Sequence, residues 1–184
     1  MAPDELAAIE APVLVVMGVS GVGKTTVASA LAERLGWRRA EGDDLHPAEN
    51  LAKMASGVPL DDDDRWPWLA RVREWIVART EAGEAGIITC SALTVAYRDQ
   101  LRQPSVIFVH LDGSLSVVGG RHAARSDHFM PSSLLASQFT ALEPLRDDEQ
   151  SISVGIVESP DAIADRIVAM LGLRRVERPL GAAH

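Results

Sequence analysis

The octapeptide GVSGVGKT (Gly18–Thr25) constrains this chain more than any other feature, because of what flanks it. Before it runs PVLVVM (Pro12–Met17), a short continuous apolar stretch rich in Val. A strand that is apolar at every position is buried on both faces, as strands of parallel sheets are. After it runs KTTVASALAERLG, where Val27, Ala28, Leu31 and Leu35 fall at helical spacing and Gly36 supplies a stop. Strand, glycine-rich turn and helix, in that order, is the context that the pattern G-x-x-x-x-G-K-[ST] requires. Gly18, Gly21 and Gly23 admit backbone conformations closed to residues with a Cβ, so several N–H groups can converge on phosphate oxygens. The helix N-terminus adds partial positive charge. The segment therefore predicts an ATP-binding loop made of Gly18, Ser20, Gly21, Val22, Gly23, Lys24, Thr25 and Thr26. Lys24 would reach the β- and γ-phosphates and the Thr25 hydroxyl would ligate Mg²⁺.

Further strands are predicted at GIITC (Gly86–Cys90), SVIFVHL (Ser105–Leu111) and SISVGIV (Ser151–Val157), with a weaker one at WRRAEG (Trp37–Gly42). Helical patterns lie between them at Pro47–Ser56, Arg65–Ala82, Leu93–Gln103, Leu115–Arg125, Ser132–Leu142 and Asp161–Leu171. Strands alternating with helices imply parallel βαβ units and an α/β fold. At 184 residues the chain fits one domain, with a core over about 12–172 and frayed ends at 1–11 and 174–184.

A formal net charge of −8 argues against a general nucleic-acid binder, so any anionic ligand needs a local cluster of cations and backbone N–H groups. Cys90 is the one cysteine, which excludes an internal disulfide and a cysteine-based zinc site. No apolar run approaches the ~20 residues of a membrane span, and MAPDELAAIEAP lacks the pattern of a signal peptide. A cytoplasmic protein with no membrane partner is expected.

The strand GIITC ends in Cys90, where a phosphate-loop protein usually carries an Asp for the metal. The acid must come from elsewhere, and AEGDDLHP (Ala40–Pro47) offers Glu41, Asp43 and Asp44 at the end of the second strand. Ligands of open α/β sheets sit beyond the carboxyl ends of the strands, which sets these acids opposite the phosphate loop.

With GVSGVGKTTVASALAERLGW, EGDDLHPAENLAKMASGVPLDDDDRWPWL, CSALTVAYRDQLR, VIFVHL and RHAARSDHFMPSSLLASQFTALEPL in family order over about 13–157, the chain resembles the gluconate kinases. These are small P-loop kinases related to shikimate and adenylate kinases. The resemblance implies a three-layer α/β/α P-loop kinase fold with a mostly parallel five-stranded sheet and a helical lid over about 115–142. It implies ATP-dependent phosphorylation of D-gluconate to 6-phosphogluconate, with Mg²⁺, in a homodimer. A related kinase acting on shikimate or another sugar acid is the nearest alternative, and a nucleotide-binding switch without an acceptor is a more distant one.

In that frame Asp43 orients the attacking hydroxyl and takes its proton, and Glu41 serves the water shell of Mg²⁺. Helix capping is the competing reading for Asp43. His46 is a candidate for a substrate hydroxyl or, standing before Pro47, a turn residue. Ser91 in the turn after GIITC and Arg98 in YRDQLR fall on the substrate side, with a surface ion pair as the alternative for Arg98. Arg121 and Arg125 are four apart, hence on one helical face. They are read as lid arginines for the nucleotide and its phosphates, or else as a solvated basic face. The analogy also brings His128 and Gln138 to the sugar acid. Gly155 departs from the family pattern, which has an acid there.

The run VPLDDDDRWPWL (Val58–Leu69) reads as the start of the Arg65–Ala82 helix, with aspartates capping free N–H groups and Pro67 in the first turn. Arg65 then sits at the electrostatically unfavourable end, balanced by the aspartates or by a ligand. The second reading has its planar fork hold the substrate carboxylate. Trp66 and Trp68 are read as packing residues.

Overall fold

The computed structural model describes residues 3–123 and 132–175. Its strands are β1 (Val13–Met17), β2 (Arg38–Glu41), β3 (Gly86–Thr89), β4 (Val106–Asp112) and β5 (Ser151–Gly155). Its helices are α1 (Pro3–Ala7), α2 (Lys24–Leu35), α3 (Ala48–Ala55), α4 (Asp62–Glu81), α5 (Val95–Leu101), α6 (Leu115–Ala123), α7 (Ser132–Ala141) and α8 (Pro160–Met170). The strands form one sheet in the order β2-β3-β1-β4-β5, and every pairing is parallel.

β1 occupies the centre because its five side chains are all apolar and all buried. Alternation along the strand divides them between two cores. Leu14 and Val16 pack with Val27 and Leu31 of α2 and with Ile163 and Ile167 of α8. Val13, Val15 and Met17 pack with Trp68, Val72 and Ile76 of α4 and with Tyr97 and Leu101 of α5. Helices therefore cover both faces, giving the three layers. β2 is an edge strand, and its RRAE sequence is correspondingly only half-buried.

Two expectations change. The amino-terminal segment, expected to fray, carries α1, and Leu6 is 2% exposed within the α2–α8 core, with Ile9 packed beside it. α4 begins at Asp62, three residues before the predicted start, because Asp61 and Asp64 build a capping box. The Asp61 carboxylate accepts from the Asp64 N–H at 3.0 Å, and the Asp64 carboxylate accepts from the Asp61 N–H at 3.1 Å. Pro67 consequently lies in the second turn of α4. The carbonyl it leaves without a helical donor belongs to exposed Asp63, where water can serve instead.

Adjacent strands β2, β3 and β1 all point their carboxyl ends at one cleft. From β1 leads the glycine loop, from β2 a 3₁₀ turn (Gly42–Leu45), and from β3 the Ser91–Leu93 turn.

Candidate active site

The glycine loop has the backbone its sequence demands. Gly18, Gly21 and Gly23 take φ of 134°, 76° and 108°, which disfavour any residue with a Cβ. Gly23 caps α2, so the N–H groups of Lys24, Thr25 and Thr26 open the helix without intrahelical acceptors. Lys24 arches back over the loop, its Nζ donating to the Gly18 and Val19 carbonyls at 3.0 Å each. Burial draws its pKa below the usual lysine range, and the charge of Asp43 opposes that shift. The loop is tied to its surroundings by Gly18 N–H, which donates to the Ser91 carbonyl at 3.2 Å. Ser20 N–H donates to Gln138 Oε1 of α7 at 2.6 Å.

Beside the loop stands Glu41, the last residue of β2. Thr25 Oγ1 donates to Glu41 Oε2 at 3.1 Å, and Thr89 Oγ1 donates to the same oxygen at 2.7 Å. Arg39 pairs with the other oxygen. Among the described residues no group of three or more His, Cys, Asp and Glu side chains could hold a metal ion. A hydroxyl and a carboxylate in contact nevertheless fit Mg²⁺, which prefers oxygen donors, keeps several waters and is completed by substrate phosphates.

The next residue, Gly42, is held by both of its polar groups. Its N–H donates to Thr89 Oγ1 at 3.2 Å and its carbonyl accepts from Trp68 Nε1 at 2.7 Å. A Cβ here would lie 2.1 Å from the Thr89 carbonyl oxygen, so only glycine lets the two chains come this close. Asp43 follows, solvent-exposed, close enough for its charge to act on Lys24, His46 and Cys90. His46 is 8% exposed and stacks on Trp68 with centroids 4.5 Å apart and planes 12° off parallel. Its Nδ1 meets Asn50 Nδ2 at 3.2 Å. Burial holds the imidazole below its ordinary pKa; Asp43 pushes it up and Arg65 down.

Arg65 faces the same space. Its Nη1 donates to Tyr97 Oη at 3.1 Å and to Asp62 Oδ1 at 3.4 Å, and the Tyr97 hydroxyl donates to that same Asp62 oxygen. The guanidinium carbon stands 5.9 Å from the Tyr97 ring centre. The aspartate run thus divides its work. Asp61 and Asp64 cap α4, Asp64 also grips Lys53 Nζ at 2.6 and 2.7 Å, and Asp62 braces Arg65.

Arg98 is a correction. It was expected on the substrate side, but its side chain is 0% exposed and pairs with equally closed Glu149 at 2.7 Å. Its Nη groups donate to the carbonyls of Ala92, Leu93, Glu143 and Pro144 at 2.9–3.3 Å. It fastens the Ser91–Leu93 turn from beneath, where Ala92 takes a positive φ of 44°. Gln138, expected at the sugar acid, meets the phosphate loop instead. Arg125 and His128 lie outside the described residues, as does the side chain of Arg121, whose backbone belongs to α6. Gly155 ends β5, and a Cβ added there meets nothing within 4 Å, so space does not exclude an acid.

Cys90, just beyond β3, is 1% exposed, and burial pushes its thiol up to about 12. The sequence reading passed over Thr89, Asn50 and Tyr97. Asn50 had no helical-spacing signal, since extended His46 and then Pro47 precede α3, which starts at Ala48, and the fold alone brings the pair together.

A parallel sheet, a glycine loop opening a helix and acids across the cleft define a phosphate-loop, nucleotide-binding kinase, a class that uses ATP. Residues 13–145 match the family model described as an AAA domain. A gluconokinase of Gluconobacter oxydans is 49% identical over 157 residues, covering 84% of this chain and 88% of that protein. The solved structure of a gluconokinase from Sinorhizobium meliloti is 44% identical with a TM-score of 0.80, covering 89% of this chain and 93% of that one. That of a sugar kinase from Janibacter is 49% identical with a TM-score of 0.81, over 88% and 95%. The chain belongs to the gluconokinase family.

Proposed function

We propose that this protein transfers the γ-phosphoryl group of ATP to the primary hydroxyl of D-gluconate, giving 6-phospho-D-gluconate and ADP. The carrying observation is one cleft holding a phosphate loop, an exposed carboxylate whose charge reaches Lys24, and an arginine with a partly free fork. Gluconate needs these groups, being a carboxylate at one end and a hydroxyl nucleophile at the other.

Gly21, Gly23, Lys24, Thr25 and Thr26 present N–H groups to the phosphates, and the Lys24 ammonium leaves its carbonyl partners for the phosphate oxygens. Asp43 orients the acceptor hydroxyl and takes its proton as the new O–P bond forms and the β–γ bridging bond breaks toward ADP. Positioning dominates because the transferring group is largely dissociated at the transition state. Arg65 holds the carboxylate, and His46 and Ser91 meet sugar hydroxyls. Buried and neutral, His46 can accept from or donate to a hydroxyl without competing for the charge. Gln138 serves the phosphate-loop side of the cleft. Thr25, and Glu41 through water, would hold Mg²⁺, which when bound neutralises charge on the phosphate oxygens. Arg121 and Arg125 close over the nucleotide, and His128 belongs to the acceptor side. The reading includes a cytoplasmic homodimer with no nucleic-acid partner. Among the described residues no helix is long and apolar enough to cross a membrane.

Steady-state turnover with D-gluconate, other sugar acids and shikimate tests the reading. The expected result is a kcat/KM for gluconate at least about 100-fold above shikimate, a transition-state preference of about 2.7 kcal/mol. ATP turnover indifferent to acceptor, or equal use of shikimate, overturns it. Asp43→Asn should lower kcat by about 10²–10⁴-fold with the KM for ATP little changed; a variant impaired only in ATP binding removes Asp43 from the acceptor side.

A further inference from the structure

We infer that Thr89 is a positioning residue for the metal-side acid: from the end of β3 it holds Glu41, on the neighbouring strand, against the Thr25 hydroxyl. The inference rests on the proposed Mg²⁺ role of Thr25 and Glu41.

β3 offers no carboxylate at its end, only Thr89 and Cys90. The Thr89 side chain is almost wholly enclosed, the residue being 3% exposed, and its hydroxyl has both capacities in use. It donates to Glu41 Oε2 at 2.7 Å and accepts from the Gly42 N–H at 3.2 Å. That same Glu41 oxygen receives the Thr25 hydroxyl at 3.1 Å. One carboxylate oxygen therefore joins the first turn of α2 to the end of β3, although it grows from β2.

Glu41 has little else to hold it. β2 is an edge strand, and the partner of Oε1 is Arg39, about a third exposed on the same strand. Ion pairs this open to solvent fix geometry weakly. A hydrogen bond from a buried hydroxyl to a carboxylate is the stronger constraint. Nor can β2 close further on β3 to compensate for its loss, because Gly42 already lies so near the Thr89 carbonyl that no Cβ fits. Removing the hydroxyl also strips the Gly42 N–H of its acceptor, beside the residue that leads to Asp43. The oxygen missing from the end of β3 is thus supplied by its neighbour, and Thr89 aims it.

The test uses Mn²⁺ as the probe, its binding to the protein–ADP complex followed by electron paramagnetic resonance, together with the Mg²⁺ dependence of turnover. Thr89→Val keeps the volume and removes the hydroxyl. It should weaken Mn²⁺ binding about tenfold, the lower end of the usual cost of losing an outer-sphere partner. The half-saturating Mg²⁺ should rise in parallel, with the KM for gluconate within about twofold. Thr89→Ser keeps the hydroxyl and should stay within about twofold of the parent. In a Glu41→Gln background, Thr89→Val should cause no further loss of Mn²⁺ affinity, since Thr89 reaches the metal side only through that carboxylate, its other bond going to the Gly42 N–H.

Unchanged Mn²⁺ affinity in Thr89→Val, additive losses in the double variant, or a Thr89→Ser that loses affinity would each overturn the inference. If Thr89→Val does not fold, Thr89→Ala takes its place with the same expectations, and the Thr89→Ser result stands by itself as a test. Failure of the proposed function looks different: the parent would bind Mn²⁺–ADP with this dependence on Thr89 and Glu41 yet not phosphorylate gluconate.

Discussion

Arg65 and Arg98 sit on helices that pack together, α4 and α5, each beside a carboxylate, yet they end in opposite environments. The Arg98 side chain is 0% exposed, and its donors are spent on Glu149 and four carbonyls. The Arg65 side chain is 36% exposed, and among the described residues only its Nη1 makes a hydrogen bond. A guanidinium saturated by its own protein is a fastener. One held by a single nitrogen, with Tyr97 and Asp62 fixing its plane, keeps an edge for a planar anion. Partner count and exposure, rather than charge, separate the two.

The sharpest way to break the contrast is Arg98→Met. It takes the 2.7 Å partner from buried Glu149, leaving that carboxylate the Arg146 N–H at 2.7 Å and Arg102 at 3.7 Å, which should cost about 3 kcal/mol of stability by chemical denaturation. The KM for gluconate in the folded remainder should rise less than in Arg65→Met, through the loosened Ser91–Leu93 turn alone, and a stable variant that cannot bind gluconate would erase the distinction. Arg65→Met should do the reverse. Losing charged hydrogen bonds worth about 1.5–3 kcal/mol should raise the KM for gluconate about 10–100-fold, with the KM for ATP and the denaturation midpoint nearly unchanged. Tyr97→Phe deletes the hydroxyl between Arg65 and Asp62. About a tenfold rise in that same KM would mark Tyr97 as the residue that orients the fork, and none would confine it to packing. The smallest effect belongs to Asp61→Ala, which removes the α4 cap for about 1 kcal/mol of stability and should leave every KM in place. A rise in the gluconate KM would give Asp61 a role at the site besides its cap.

The phosphate loop was legible in the sequence because each glycine answers a local demand, a φ that side chains avoid. β1 was equally plain, since burial on both faces leaves no polar position. β2 read weakly because an edge strand is written in RRAE rather than in apolar residues. The helix start at Asp62 was missed because any of four consecutive aspartates can cap, and only Asp61 and Asp64 have the three-residue spacing of the box. Arg98 was misjudged because a charged residue in a polar-looking helix gives no sign that Glu149, 51 residues on, will be buried with it. Thr89 escaped for the same reason, its partner Glu41 being 48 residues away. Short-range rules recover the elements and the cradle. Contacts that close the cleft are long-range and surface only in the folded chain.

The enclosure of Cys90 has a practical consequence. A thiol whose pKa burial pushes up to about 12 is almost wholly protonated at pH 7, and it has almost no surface through which to react. The protein's one sulfhydryl is thus doubly shielded from oxidants and alkylating reagents. A cysteine introduced on the surface would be the only one to take a maleimide dye, which makes the natural chain a ready host for site-specific fluorescence labels.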